Sequence, residues 1–214
     1  MGLNPDVIAK AGLSMLADVG LNGLTMRMLA RELSVGASAI YGHVRDKQEL
    51  LDAMATLMFV EATQDLEAPR RETTWEVWLA DYMRSLRQTL LRYRDGARVF
   101  AGTYVNHPAM ARTSELILRT MQDSGFGLRD AAGGVSALTH YVLSFCIEEQ
   151  ARAGADYSGG GPYQSGRIVE GIDMQRYPLT AQLMTESASS TPDNEFESGM
   201  QVILNGIRAS HRTS

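Results

Sequence analysis

The chain has a single cysteine, Cys146, among 214 residues. That excludes an intramolecular disulfide framework and fits a reducing, cytoplasmic setting. Long apolar runs are missing as well. Nothing approaches the roughly 20 residues that a bilayer span needs, so no membrane partner is expected. The N-terminus has no basic segment leading into an apolar one, so no secretory signal is expected. Period-2 alternation is absent, which leaves no candidate β-strand. Catalytic signatures are also lacking: there is no H-E-x-x-H, no G-x-S-x-G and no Walker-type loop. The four histidines are scattered. His140 and Glu148 can share a helix, but they lie about 80° apart around it at ~3.6 residues per turn. No enzyme, metal site or cofactor is expected from such a set. An excess of positive charge is absent too, since the net charge is −5.

The distribution of charge matters more than its sum. Residues 1–50 hold five cations (Lys10, Arg27, Arg31, Arg45, Lys47) and five anions (Asp6, Asp18, Glu32, Asp46, Glu49). This segment is therefore neutral, and the rest of the chain carries the negative balance. Binding to a polyanion depends on the charge of the contact face rather than of the whole molecule.

What the sequence does contain is helical periodicity. With 44% hydrophobic and 21% charged residues, the composition is ordinary for a globular protein. Asn4-Pro5 reads as an N-cap with proline at the first helical position. Ile8, Gly12, Met15, Leu16 and Val19 then share a face, and Gly20 stops the helix. Thr25 caps a second helix, with Met26, Leu29, Ala30 and Leu33 inward. A short third helix covers about 37–41. Asp46 and Glu49 form a capping box for a long helix carrying Leu50, Met54, Leu57 and Met58. The polar stretch 65–74 marks a boundary. Helices follow at about 75–92, 95–101, 107–124, 129–153, 178–189 and 194–210, with Thr74 and Asp95 as candidate caps and Gly125 as a stop. The glycine-rich run 153–166 is flexible by composition, and 187–194 is a second weak zone. The expected fold is all-α: a three-helix unit at 1–46, a connecting helix at 47–66 and a larger helical unit at 67–214.

Two stripes stand out. Val135, Leu138, Val142 and Phe145 line one late helix; Phe196, Met200, Ile203 and Ile207 line another. Spacing of this kind makes a helix-packing seam, either with the chain's own core or with a second copy.

Residues 25–44, "TMRMLARELSVGASAIYGHV", read as a helix-turn-helix. The first helix braces, the turn sets the angle, and the second presents its N-terminal side chains to base edges. Small residues at Ala37, Ser38 and Ala39 permit deep entry into a groove. Arg27, Lys47 and the Tyr41 hydroxyl are placed to reach phosphates, and Tyr41 and His43 to touch DNA. An ordinary αα-hairpin with a solvated basic rim has the same pattern.

The longer run Thr25-x-Arg27-x-Leu29-Ala30-x-x-Leu33-x-Val35-x-x-x-x-Ile40-Tyr41-x-His43-Val44-x-x-Lys47-x-x-Leu50-Leu51 resembles the DNA-binding signature of the TetR family of transcriptional regulators. Ser34 departs from it, standing where the family usually has glycine in the turn. "LLRYRDGARVFAGT" (90–103), "SGFGLRDAAGGVSALTHYVLS" (124–144) and "IEEQ" (147–150) resemble the ligand-binding domain of the family's tetracycline-binding members. The resemblance implies a homodimer on double-stranded, palindromic operator DNA, released by a small-molecule effector. It implies a dimer bundle from the helices near 129–153 and 194–210, built on the two stripes. It also implies DNA contacts from Thr25, Arg27, Ala37, Ser38, Ala39, Tyr41, His43 and Lys47.

The same resemblance places an effector site at Tyr82, Leu86, Phe100, Thr103, Tyr104, Ile117, Val135, Thr139 and Glu148. Those relatives hold a magnesium–drug chelate with a histidine in V-H-x-G-T; here the run is V-F-A-G-T, with Phe100 at that place. Phenylalanine offers no ligand atom to a hard cation. Tyr82, Leu86, Tyr104 and Ile117 also replace polar or aromatic drug contacts. The expected effector is therefore apolar or aromatic and bound without metal. The alternatives are a magnesium-dependent tetracycline-type sensor, or a helical partner-binding module without ligand control.

Overall fold

The molecule is described by a computed structural model that covers residues 2–153, 173, 175–187 and 190–211. Ten helices occur among them and no strand: α1 Pro5–Gly23, α2 Met26–Glu32, α3 Ala37–Tyr41, α4 Lys47–Thr63, α5 Trp75–Arg92, α6 Gly96–Ala101, α7 Pro108–Asp123, α8 Leu128–Ala153, α9 Pro178–Ser187 and α10 Pro192–His211. The glycine-rich segment expected to be flexible lies, from 154 onward, outside the described residues.

Local chemistry sets most of the boundaries. The Asn4 side chain accepts from Val7 N at 2.9 Å, Asp46 from Glu49 N at 2.8 Å, and Thr74 from Val77 N at 3.4 Å. Each satisfies an N–H that the first helical turn leaves without a partner. The expected capping box is displaced by one residue, because the Glu49 carboxylate accepts from Arg45 N rather than from Asp46 N. Asp95 is a clearer departure. It stands before α6 in a left-handed conformation (φ 59°) and makes no cap bond. Its carboxylate is engaged elsewhere, on Leu21 N at 2.9 Å. Gly20 interrupts α1 as expected, with φ 62° and ψ 176°, and a further turn runs on to Gly23. A side chain at Gly20 would adopt a disfavoured backbone and press on Asp95 Oδ2.

Packing centres on α4. Leu50, Met54 and Met58 are fully buried, clamped between α1 on one side and α5 and α6 on the other. Gly12 allows the close approach of α1, since a Cβ there would lie 2.9 Å from Met54 Sδ. The N-terminal helices α1–α3 and the larger body thus share one continuous core.

The two apolar stripes face this chain's own core. Leu138, Val142, Phe196, Met200 and Ile207 are all buried within the single chain, so their side chains have no surface left for a partner. Val135, Phe145 and Ile203 are partly buried against the same core. The stripes also extend further than the spacing suggested, to Ala131, Cys146 and Leu204. Arg87 of α5 locks the junction. It holds Glu149 of α8 through two bonds, at 2.8 and 3.0 Å, and Asp193 of α10 at 2.7 Å. Its guanidinium carbon lies 4.7 Å from the centre of the Phe196 ring, a cation–π contact in a part-buried setting.

Because Phe196 is an internal wedge, Phe196→Ala lowers unfolding stability by about 3–5 kcal/mol. Chemical denaturation shows the same loss at low and high protein concentration, as a core residue requires and an interface residue does not.

Candidate nucleic-acid interface and effector cavity

The helix-turn-helix is built on very few buried side chains. Thr25 caps α2, its Oγ accepting from Met28 N at 3.3 Å. Met26, Leu29 and Ala30 turn inward from α2. In α3 only Ile40 is buried; Ala37, Ser38, Ala39 and Tyr41 are exposed, as is His43 just beyond. Val44 is buried too and donates its N–H to the Ile40 carbonyl at 2.9 Å. Ile40 and Val44 therefore pin the short helix, while its other side chains form one open face. The turn between α2 and α3 carries Ser34 at φ 54°, the left-handed geometry for which glycine would be the unstrained residue.

The expected phosphate contacts differ in their freedom. Arg27 is exposed. Lys47 is half-buried, and its ammonium donates to the Leu21 carbonyl at 3.1 Å. One of its three N–H groups thus anchors α4 to the end of α1, which makes Lys47 a strut as well as a candidate DNA contact.

Sequence reasoning missed the links between this head and the body. Asp95 receives Leu21 N, and Arg94 donates to the Ala17 carbonyl at 3.2 Å. From α4, Gln48 donates to the Gly102 carbonyl at 3.2 Å, while Asp52 accepts from Tyr104 N at 3.2 Å. Partners more than fifty residues apart leave no local pattern to detect.

The expected effector residues do not converge on one place. Ile117, Val135 and Thr139 meet in an apolar cavity of about 400 Å³ between α7 and α8, with Met110, Leu118 and His140. Thr113, one turn before Ile117, buries a hydroxyl that has no hydrogen-bond partner among the described residues. The other positions lie apart from this cavity. Leu86 is sealed in the core. Phe100 stacks on Phe59 with 6.4 Å between ring centres. The Thr103 hydroxyl donates to the Phe100 carbonyl at 3.0 Å. Tyr104 is 75% exposed on the α4 side. Glu148 is exposed and faces Arg152 at 3.6 Å. Tyr82 lines a separate cavity between α4 and α5. Among the described residues, no group of three or more His, Cys, Asp or Glu side chains is placed to hold a metal ion, and no helix is long and apolar enough to cross a membrane.

Residues 8–54 match the model for bacterial regulatory proteins of the tetR family, and residues 68–211 match the tetracyclin repressor-like C-terminal domain. The chain belongs to the TetR family. It is a helix-turn-helix, ligand-responsive DNA-binding regulator rather than an enzyme, and proteins of this family bind operator DNA and small-molecule effectors as dimers. It is 36% identical over 205 residues to the tetracycline repressor protein class A from transposon 1721 of Escherichia coli, covering 96% of this chain and 90% of that one. Among solved structures, it superposes with a TM-score of 0.85 on a possible TetR family regulator from Streptomyces coelicolor A3(2). That pair is 33% identical, with 97% of this chain and 100% of the other covered. The Streptomyces coelicolor TetR family protein ActR in complex with actinorhodin gives a TM-score of 0.83 at 26% identity, covering 99% of each chain.

The strained turn yields a direct test within this family frame. Ser34→Gly relieves a left-handed backbone and raises stability by about 0.5–1 kcal/mol, the entropy cost of glycine offsetting part of the gain. Ser34→Val lowers it by more than about 1 kcal/mol, because a β-branched residue tolerates φ > 0 least. Thermal or urea denaturation of the two variants reads the difference.

Proposed function

We propose that this chain is a repressor. It binds a palindromic operator as a homodimer and leaves it when a largely apolar or aromatic effector occupies the cavity between α7 and α8. The observation that carries this reading is the open face of α3, whose exposed Ala37, Ser38, Ala39 and Tyr41 are free for base edges while Ile40, with Val44 just beyond, holds the helix down. The two α3 faces of a dimer would enter successive major grooves about 34–36 Å apart. Thr25, Arg27 and Lys47 would take phosphates, setting position rather than sequence preference.

The effector reading rests on the walls of the cavity. Met110, Ile117, Leu118 and Val135 supply apolar surface; Thr139 and His140 supply a few polar groups. Such a mixture suits a mostly hydrophobic ligand oriented by one or two hydrogen bonds. The residues that would have to hold a magnesium chelate do not fit one. Phe100 has no ligating atom and is stacked on Phe59, and the Glu148 carboxylate faces Arg152. The relative from transposon 1721 is named for tetracycline and ActR is solved with actinorhodin, so different effectors are compatible with this one architecture.

The dimer face we infer is the side of α8 and α10 turned away from the core. On α8 it carries Ala132, Gly133, Ser136, Ala137, His140 and Ser144; on α10 it carries Val202, Asn205, Gly206 and Ala209, all exposed in the single chain. Small residues on both helices allow close approach. Ala132, Ser136 and His140 also border the α7–α8 cavity, so a partner docked here would cover its open side. An effector would act by binding the released and DNA-bound arrangements with different affinity. The path available is α6 and the 102–104 loop against Gln48 and Asp52 of α4.

Four measurements check these statements. Selection from random double-stranded DNA should enrich one palindrome; enrichment of none removes the operator reading. On that DNA, Arg27→Ala weakens binding and makes its salt dependence shallower by about one unit of slope, whereas an unchanged slope would leave Arg27 as a solvated rim. For the assembly, Val202→Glu shifts the oligomer toward monomer in sedimentation while leaving helicity intact. For the effector, a screen of aromatic compounds should find one that releases the DNA without magnesium. Release by tetracycline only when magnesium is present would replace this reading with the metal-dependent one.

A further inference from the structure

The face of α3 is set by the side chains it lacks as much as by those it has. The family model that covers residues 8–54 makes the helix-turn-helix the part that meets DNA. What it can read there depends on its side chains. Between Ser34 and Val44 there is no Arg, Lys, Asn, Gln, Asp or Glu. Those are the residues that tell bases apart by hydrogen bonds: Arg and Lys pair with guanine, Asn and Gln with adenine, and carboxylates accept from cytosine. In their place α3 exposes the methyl groups of Ala37 and Ala39, the Ser38 hydroxyl and the Tyr41 ring, with His43 just beyond.

Ile40 fixes which way these groups point. It is fully buried, and at ~3.6 residues per turn Ser38 stands about 160° from it around the helix. Ala39 lies about 100° from Ile40 on one side, and Tyr41 about 100° and Ala37 about 60° on the other. Ser38 is therefore the crest, with an alanine methyl on each flank. The Ser38 and Tyr41 hydroxyls and the Arg27 guanidinium have no hydrogen-bond or ion-pair partner among the described residues, so contact with DNA breaks nothing internal. The crest side chains end at Cβ or Oγ, which brings the backbone of α3 close to the groove floor. A hydroxyl can donate or accept, so it serves any base pair. A methyl can make only an apolar contact, and the apolar group that the major groove presents is the thymine C5-methyl.

We propose that this protein selects its operator by thymine methyl groups. Ala37 and Ala39 each pack on the C5-methyl of one thymine, so every half-site carries thymines at two steps, one on each flank of Ser38. Ser38 holds the helix between them without choosing a base. The proposal deepens the operator reading given above and rests on it. Phosphate contacts from Arg27 or Lys47 do not supply this selection, because they carry no sequence information. One buried methyl is worth about fourfold in affinity, and a dimer on a palindrome counts each contact twice.

The test uses the full-length protein and the palindrome enriched from random DNA, with binding read by fluorescence anisotropy. Deoxyuridine replaces thymine at one symmetric pair of positions at a time. This removes the C5-methyl and leaves base pairing and every hydrogen-bonding group in place. Two such pairs should each weaken binding by about 10- to 20-fold, the square of the single-methyl factor, and the other thymines should have little effect. Ala37→Gly should abolish the difference between thymine and deoxyuridine at one of the two pairs, and Ala39→Gly at the other. Each comparison is made within one variant, so any loss of folded protein weakens both DNAs alike and cancels. A palindrome without thymine, or one bound equally well with deoxyuridine at every position, sinks the methyl reading and leaves the operator reading standing. Uracil sensitivity that persists in both glycine variants gives the methyl contacts to other side chains and overturns the proposal as well. Enrichment of no palindrome removes both readings together.

Discussion

The burial of α4 is the constraint from which the rest of the molecule follows. Leu50, Met54 and Met58 have no solvent exposure. Their faces are shared between α1 of the reading head and α5 and α6 of the body. A helix held on both sides cannot shift against one neighbour without disturbing the other, because close-packed interiors transmit displacement instead of absorbing it. The polar contacts repeat this pattern. Lys47 and Asp95 both reach Leu21, one at its carbonyl and the other at its N–H. The last turn of α1 is thereby tied to the start of α4 and to the start of α6 at once. The family's separation of DNA reading from ligand sensing is, in this chain, a separation along one continuous core.

How much of this was legible beforehand differs from level to level. Helix boundaries were, because caps are local: Asn4, Thr25, Asp46 and Thr74 each bond a backbone N–H three residues on. Asp95 shows where that logic fails. It has the right residue type at the right place, but a partner 74 residues away takes its carboxylate. The strain at Ser34 was legible as well, since a turn that wants glycine shows its cost wherever another residue stands.

The apolar stripes show a different limit. Periodicity tells which residues of a helix are turned together, not what they are turned toward. Phe196 and Val142 were placed on the right faces, yet those faces meet each other and Arg87 inside one chain. The surface proposed for a second subunit is made mostly of the small and polar residues in between, with the exposed Val202 among them. The effector positions scatter for a related reason. An aligned residue inherits a place on its helix, but the cavity depends on neighbours from other helices. Ile117 and Thr139 therefore share a space from which Tyr82 and Tyr104 are absent.

The single anchor of α3 bears on how such a protein changes over time. Of its five residues, only Ile40 is committed to holding the fold. The remaining four can be exchanged with little effect on the free energy of folding, since substitutions on exposed positions away from special features usually cost under about 0.5 kcal/mol. On the proposed reading of α3, the vocabulary that addresses DNA is thus decoupled from the grammar that keeps the chain folded. A lineage carrying this scaffold can acquire a new operator through a few surface changes, without first accumulating stability to spare.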